Sequence, residues 1–140
     1  MNNPGYMFFR TYKKRSGVLS VIFLILAFLA KWYAGPFWHI ADAYLGDFFI
    51  VASLYFCLSL ILPGVGRTKK IVAVAALAVV VELFQATGIP RSLHLPKPFE
   101  FILGTRFDVK DFISYLAGLM LAAAVDQRAS LKKKENDEDF

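Results

Sequence analysis

A single cysteine, Cys57, among 140 residues leaves no partner for an intrachain disulfide and no cysteine cluster for a metal. It lies inside an apolar run and reads as a small packing residue. The chain has no internal repeat, phosphate-binding glycine loop, paired-histidine metalloprotease helix or serine nucleophile elbow, which removes the enzyme classes those motifs announce. Histidine is scarce. His39 and His94 lie in connections without ligand spacing and read as interfacial or loop residues, so neither a metal nor any other cofactor is expected. Charge is almost absent from four stretches: Gly17 to Ala30, Phe48 to Leu62, Ile71 to Val81 with its extension to Ala86, and Phe112 to Val125. A soluble helix carries a polar face at every turn, and none of these runs has one.

What is present is apolar, with 57% hydrophobic and 16% aromatic residues. A run of about 15 residues rises roughly 22 Å as a helix, short of a ~30 Å hydrocarbon core, so each needs its flanks to span. Trp32, Tyr33, Trp38 and Tyr44 suit the interface, and Lys31 and Lys70 suit helix ends that snorkel. The pattern predicts an all-α chain, a four-helix transmembrane bundle with spans near residues 17–33, 47–62, 70–87 and 109–126. Residues 1–16 form a basic juxtamembrane arm and residues 127–140 a charged tail, read as disordered or fraying helix. Lys31, Trp32 and Tyr33 make a poor cleavage region, so the first run is a retained anchor rather than a signal peptide.

Arg10, Lys13, Lys14, Arg15, Arg67, Lys69, Lys70, Arg128 and Lys132 to Lys134 put eleven of the sixteen basic residues on one side of that bundle. The positive-inside rule makes this side cytoplasmic, with both termini there. The net charge of +5 is then a topology signal with some attraction to anionic lipid, and no nucleic-acid partner is expected.

This topology gathers residues that are distant in sequence. Asp47 opens the second span, Glu82 and Gln85 close the third, and Asp108 and Asp111 open the fourth, all at the outer face. Asp47, Asp108 and Asp111 each suit helix caps, where an acid meets free N–H groups and a positive dipole end. Glu82 does not. It lies near a helix C-terminus, and an acid closing an apolar run is paired, neutralised or used. Ala75, Ala78, Glu82 and Gln85 share one face, whose small residues fit it to a neighbouring helix, and Asp108, Asp111, Tyr115, Gly118 and Ala122 form a matching stripe. Arg106, two residues before Asp108, is the favoured cation to reach Glu82. In the long connection from Thr87 to Lys110, Gly88, Pro90, Pro96 and Pro98 argue against helix in its first half, and Phe99 to Leu103 is apolar enough to lie on the membrane surface or fold back over the helix ends.

Gly46-Asp47 opening an apolar helix, Glu82-Leu83-Phe84-Gln85, and Leu103 to Asp111 running into Tyr115 and Gly118 together resemble domain-of-unknown-function family 2809. These small bacterial membrane proteins are similar to the VanZ-like group, although Tyr115 stands where an asparagine is typical there. The resemblance implies a multi-pass protein of the bacterial inner membrane and a location for function at Glu82, Gln85, Arg106, Asp108 and Asp111. It implies no activity.

Three functions remain open on the sequence. The polar cluster binds a lipid headgroup, an envelope precursor or a partner; or it locks helix packing in a structural or assembly subunit; or its carboxylates serve a membrane enzyme or ion-coupled carrier. The first is favoured, and enzyme activity stays open as the less favoured alternative. Its expected partners are membrane lipids, a second copy of the chain or another membrane protein.

Overall fold

A computed structural model describes residues 4–97, 99, 100 and 107–138, with side chains described for all of these except 4–6 and 129–138. Every regular element among the described residues is helical. In chain order these are α1 (Pro4–Trp32), α2 (Trp38–Ile40), a π-helical turn (Ala41–Leu45), α3 (Gly46–Ile61), α4 (Arg67–Ala86), α5 (Ile89–Ser92) and α6 (Asp111–Glu138). The segments from Trp38 to Ile61 follow without a break, so the long helices number four among the described residues.

The helices are longer than the apolar runs that announce them. α1 begins at Pro4 and passes through the basic arm, because Arg10, Lys13, Lys14 and Arg15 are all good helix formers and proline is tolerated in a first turn. α6 likewise continues into the charged tail. Two expectations for the connections are corrected. Asp47 is no terminal cap, since helical turns from Trp38 precede it and α3 has no side-chain cap bond. Pro90 starts α5 rather than preventing helix: it occupies the first turn, where its missing N–H costs nothing. Gly88 makes this junction possible at φ 72°, a left-handed conformation that glycine adopts without a Cβ clash, and its N–H donates to the Gln85 carbonyl at 3.0 Å.

α3 is the central helix, packed against α1, α4 and α6. Its mid-section supplies Val51, Ala52, Tyr55 and Phe56 to a core completed by Phe23 of α1, Val74 of α4, and Leu119 and Ala122 of α6. Phe23 and Phe56 stack with ring centroids 5.7 Å apart. Small residues bring the helices close. Ser20 and Ser53 donate their hydroxyls to each other's backbone carbonyls at 3.0 and 2.8 Å, which joins α1 to α3. Gly118 meets α3 so tightly that a Cβ there would overlap the Phe48 carbonyl.

Beside the apolar core, polar residues are buried and large aliphatic ones exposed. Lys70, Glu82, Gln85, Asp126 and four serines are buried, while Val21, Ile25 and Leu29 on α1, Val72, Val80 and Leu83 on α4, and Ile113, Leu116 and Met120 on α6 face outward. Among the described residues two stretches, Met7–Trp32 and Trp38–Ile61, are long and apolar enough to cross a membrane.

Candidate functional site

Glu82 exposes none of its surface. It is brought inward by the face it shares with Val74, Ala78 and Gln85, all buried, while Val79, Val80 and Leu83 on the remaining faces are exposed. This is the helical spacing that places residues three and four apart on one side. Across from it, the stripe of α6 turns Ser114, Gly118 and Ala122 inward, with Tyr115 half-buried beside them. The Tyr115 hydroxyl donates to Glu82 Oε1 at 2.6 Å. Glu82 Oε2 is buried and has no hydrogen-bond partner among the described residues. A carboxylate can accept several hydrogen bonds, so the site holds one acceptor position in reserve.

The remaining acids surround this pair unequally. Asp47 of α3 lies within electrostatic reach of Glu82, Lys31 and Asp42, and Asp111 within reach of Asp47, Glu82 and Asp108. Asp47 and Asp111 are half-buried and Asp108 is exposed, so the acids descend from the surface towards Glu82. Asp108 caps α6: its Oδ1 accepts the Lys110 N–H at 2.9 Å and its carbonyl accepts the Asp111 N–H at 3.0 Å. Gln85 is buried one turn beyond Glu82.

Arg106 lies outside the described residues, as do Phe101 to Leu103 of the apolar loop segment. Among the described residues a cation of α1, Lys31, reaches this end, with its Nζ 3.6 Å from Asp42 Oδ1. Its stem also packs over Gly46, where a Cβ would approach Lys31 Cε to 2.8 Å. Sequence reasoning assigned Lys31 only to membrane snorkelling. The signal for its second role was its topological level, at the end of the first span beside the start of the second. No group of three or more metal-ligating side chains occurs among the described residues, and His39 and His94 are exposed.

A second polar cluster, unforeseen from the sequence, closes the opposite end. The Lys70 ammonium donates to Tyr12 Oη at 2.6 Å and Ser59 Oγ at 3.1 Å and lies 3.8 Å from Asp126 Oδ2. Asp126 in turn accepts from Tyr55 at 2.8 Å and Tyr12 at 3.2 Å. Arg15 donates to the Val125 carbonyl at 2.8 Å nearby. All four long helices contribute, and every polar group of the ion pair is answered, which is the condition under which a buried pair is tolerated. Its sequence signal was a lysine just before one apolar run and an acid just after another, which the topology puts at the same level.

Between the two ends lies the apolar core. Lys70 and Glu82 are separated along α4 by roughly 18 Å at the helical rise, with Val74 and Ala78 buried between them. On α6 the intervening buried residues are Gly118, Leu119 and Ala122.

The sequence model of a family described as "Protein of unknown function (DUF2809)" matches residues 36–119, which include Asp47, Glu82, Gln85, Arg106, Asp108, Asp111 and Tyr115. No curated protein and no solved structure matches the chain.

Proposed function

The chain belongs to the DUF2809 family, whose description assigns no activity, and from that premise we propose a non-enzymatic, four-span protein of the bacterial inner membrane with both termini cytoplasmic. Its outer cluster of Asp47, Glu82, Gln85, Arg106, Asp108 and Asp111 binds a hydrogen-bond-donating group, carried by a lipid headgroup, an envelope precursor or a partner protein. Polar residues inside and aliphatic residues outside support the membrane setting, because a lipid solvent rewards that arrangement and water penalises it. The bias of basic residues towards the Tyr12–Lys70 end supports the orientation. The apolar layer between the two polar ends weighs against an ion-coupled carrier.

One observation carries the binding role: Glu82 is fully buried, is held by Tyr115 through Oε1, and keeps Oε2 without a described partner. An ammonium or hydroxyl entering past Asp111 and Asp47 would complete it with a charge-assisted bond. The test compares lipids that differ in this chemistry. Protein reconstituted with phosphatidylethanolamine, whose ammonium donates, is expected to retain it over phosphatidylcholine, which has no N–H; Glu82→Gln should lose the preference while yielding the same amount of folded protein.

The zero exposure of Glu82 also favours a second reading, in which Arg106 fills the open position and the cluster only locks helices. Loss of folded protein in Glu82→Gln, restored by exchanging Glu82 and Arg106, would establish that reading instead.

A further inference from the structure

The first turns of α1 and the last turn of α3 enclose a groove of about 540 Å³, within the size range of small-molecule sites. Phe9, Arg10, Lys13 and Lys14 line one part of it, and Val18 with Leu60 lines another, with Gly17 between. Positions 10, 13, 14, 17 and 18 follow helical spacing, so a single stripe of α1 passes from cationic to apolar along its length. Leu60 of α3 forms the facing wall. The three cations are exposed and have no ion-pair partner among the described residues. Arg15, by contrast, turns to the Val125 carbonyl.

We propose that this groove holds an anionic phospholipid of the inner leaflet, its phosphate on Arg10, Lys13 and Lys14 and an acyl chain along Val18 and Leu60. Charge complementarity selects the headgroup: three unpaired cations within little more than one turn raise the local positive potential, and a basic pocket between helices at the cytoplasmic level is suited to an anionic headgroup. The order of the lining selects a lipid over a soluble phosphate. The three cations gather at one end beside Phe9, and Val18 and Leu60 add aliphatic contacts towards the bilayer interior. Gly17 keeps the groove open, since a Cβ there would already lie 3.6 Å from Leu60 Cδ2 and a longer side chain would occupy the space.

The assignment rests on the membrane reading of α1 and α3 but not on any ligand at Glu82. Full-length protein released from membranes into detergent is titrated with phosphatidylglycerol or phosphatidylcholine and lipid retention is read by native mass spectrometry. Phosphatidylglycerol should be retained preferentially, and the triple variant Arg10→Gln, Lys13→Gln, Lys14→Gln should bind it about tenfold more weakly or worse. Gly17→Leu, which leaves charge and topology signals intact, should weaken it similarly. Neutralising Lys132, Lys133 and Lys134 should leave retention unchanged. Equal retention of the two lipids, an unaffected Gly17→Leu protein, or an equal loss in the tail variant would overturn the groove. Release of the protein from membranes by an alkaline wash without detergent would instead defeat the membrane reading itself.

Discussion

The Tyr115 hydroxyl donates to Glu82 Oε1 at 2.6 Å, joining α6 to α4 through a carboxyl that exposes nothing to solvent. Tyr115→Phe removes this donor and strands a buried acceptor, which costs about 1–3 kcal/mol. Glu82→Leu removes the acceptor. The double variant should be destabilised by less than the sum of the two, because a polar pair replaced as a pair leaves nothing stranded. Thermal unfolding of the four proteins in one detergent measures the coupling, and strict additivity would show that the bond contributes nothing.

At the other end, Asp126→Ala leaves the buried Lys70 ammonium without its counter-charge, a loss of roughly 3–5 kcal/mol. The pair Lys70→Met with Asp126→Leu should recover most of that, since aliphatic side chains of similar volume carry no desolvation cost. Yield of monodisperse protein and the midpoint of thermal unfolding give the readout. A double variant as poor as Asp126→Ala would mean that the network specifies helix positions as well as balancing charge.

Two glycines that both meet a neighbour should respond differently to alanine. At Gly118 the new Cβ meets the Phe48 backbone, which cannot move without displacing α3, so a loss of about 1–3 kcal/mol is expected despite the better helix propensity of alanine. At Gly46 the obstacle is the Lys31 stem, which can rotate away. Gly46→Ala should therefore be neutral or stabilising by up to ~1 kcal/mol. Equal losses at both sites, measured by unfolding, would contradict the distinction between backbone and flexible side chain.

Orientation is tested by a reporter that is active only outside the cytoplasm. Placed after Lys97 it should be active, and placed after Gly64 it should be silent. The reverse pattern would put Glu82 on the cytoplasmic side and turn the proposed lipid groove to the outer leaflet.

The existence of the long helices was legible from the four uncharged runs, because apolar continuity is a strong local signal. Their ends were not. The arm from Arg10 to Arg15 was read for its charge, yet these residues also have high helix propensity, and nothing between them and Gly17 interrupts the helix. The inward face of α4 followed from Ala78, Glu82 and Gln85 at helical spacing, whereas the partner of Glu82 depended on the rotation of α6, which its stripe of Tyr115, Gly118 and Ala122 indicated only as a face. The Lys70–Asp126 network escaped notice for a different reason. Lys70 is accounted for by topology and snorkelling, and Asp126 lies at the last position of the fourth span, so neither signals a buried partner by its local sequence. The π-helical turn before Gly46 has no sequence signature at all in this reading, although it makes Asp47 an internal residue rather than a cap.

The stacked Phe23 and Phe56 rings, with Val51, Val74 and Leu119 around them, form an apolar stretch through the bundle, beside which the hydroxyls of Ser20 and Ser53 are turned back onto backbone carbonyls. In a bilayer such a layer is an electrical insulator. In the proposed bilayer setting it parts the Glu82 cluster from the Lys70–Asp126 network, which lie about 18 Å apart along α4. A molecule built this way would offer a ligand one polar end without joining it to the other.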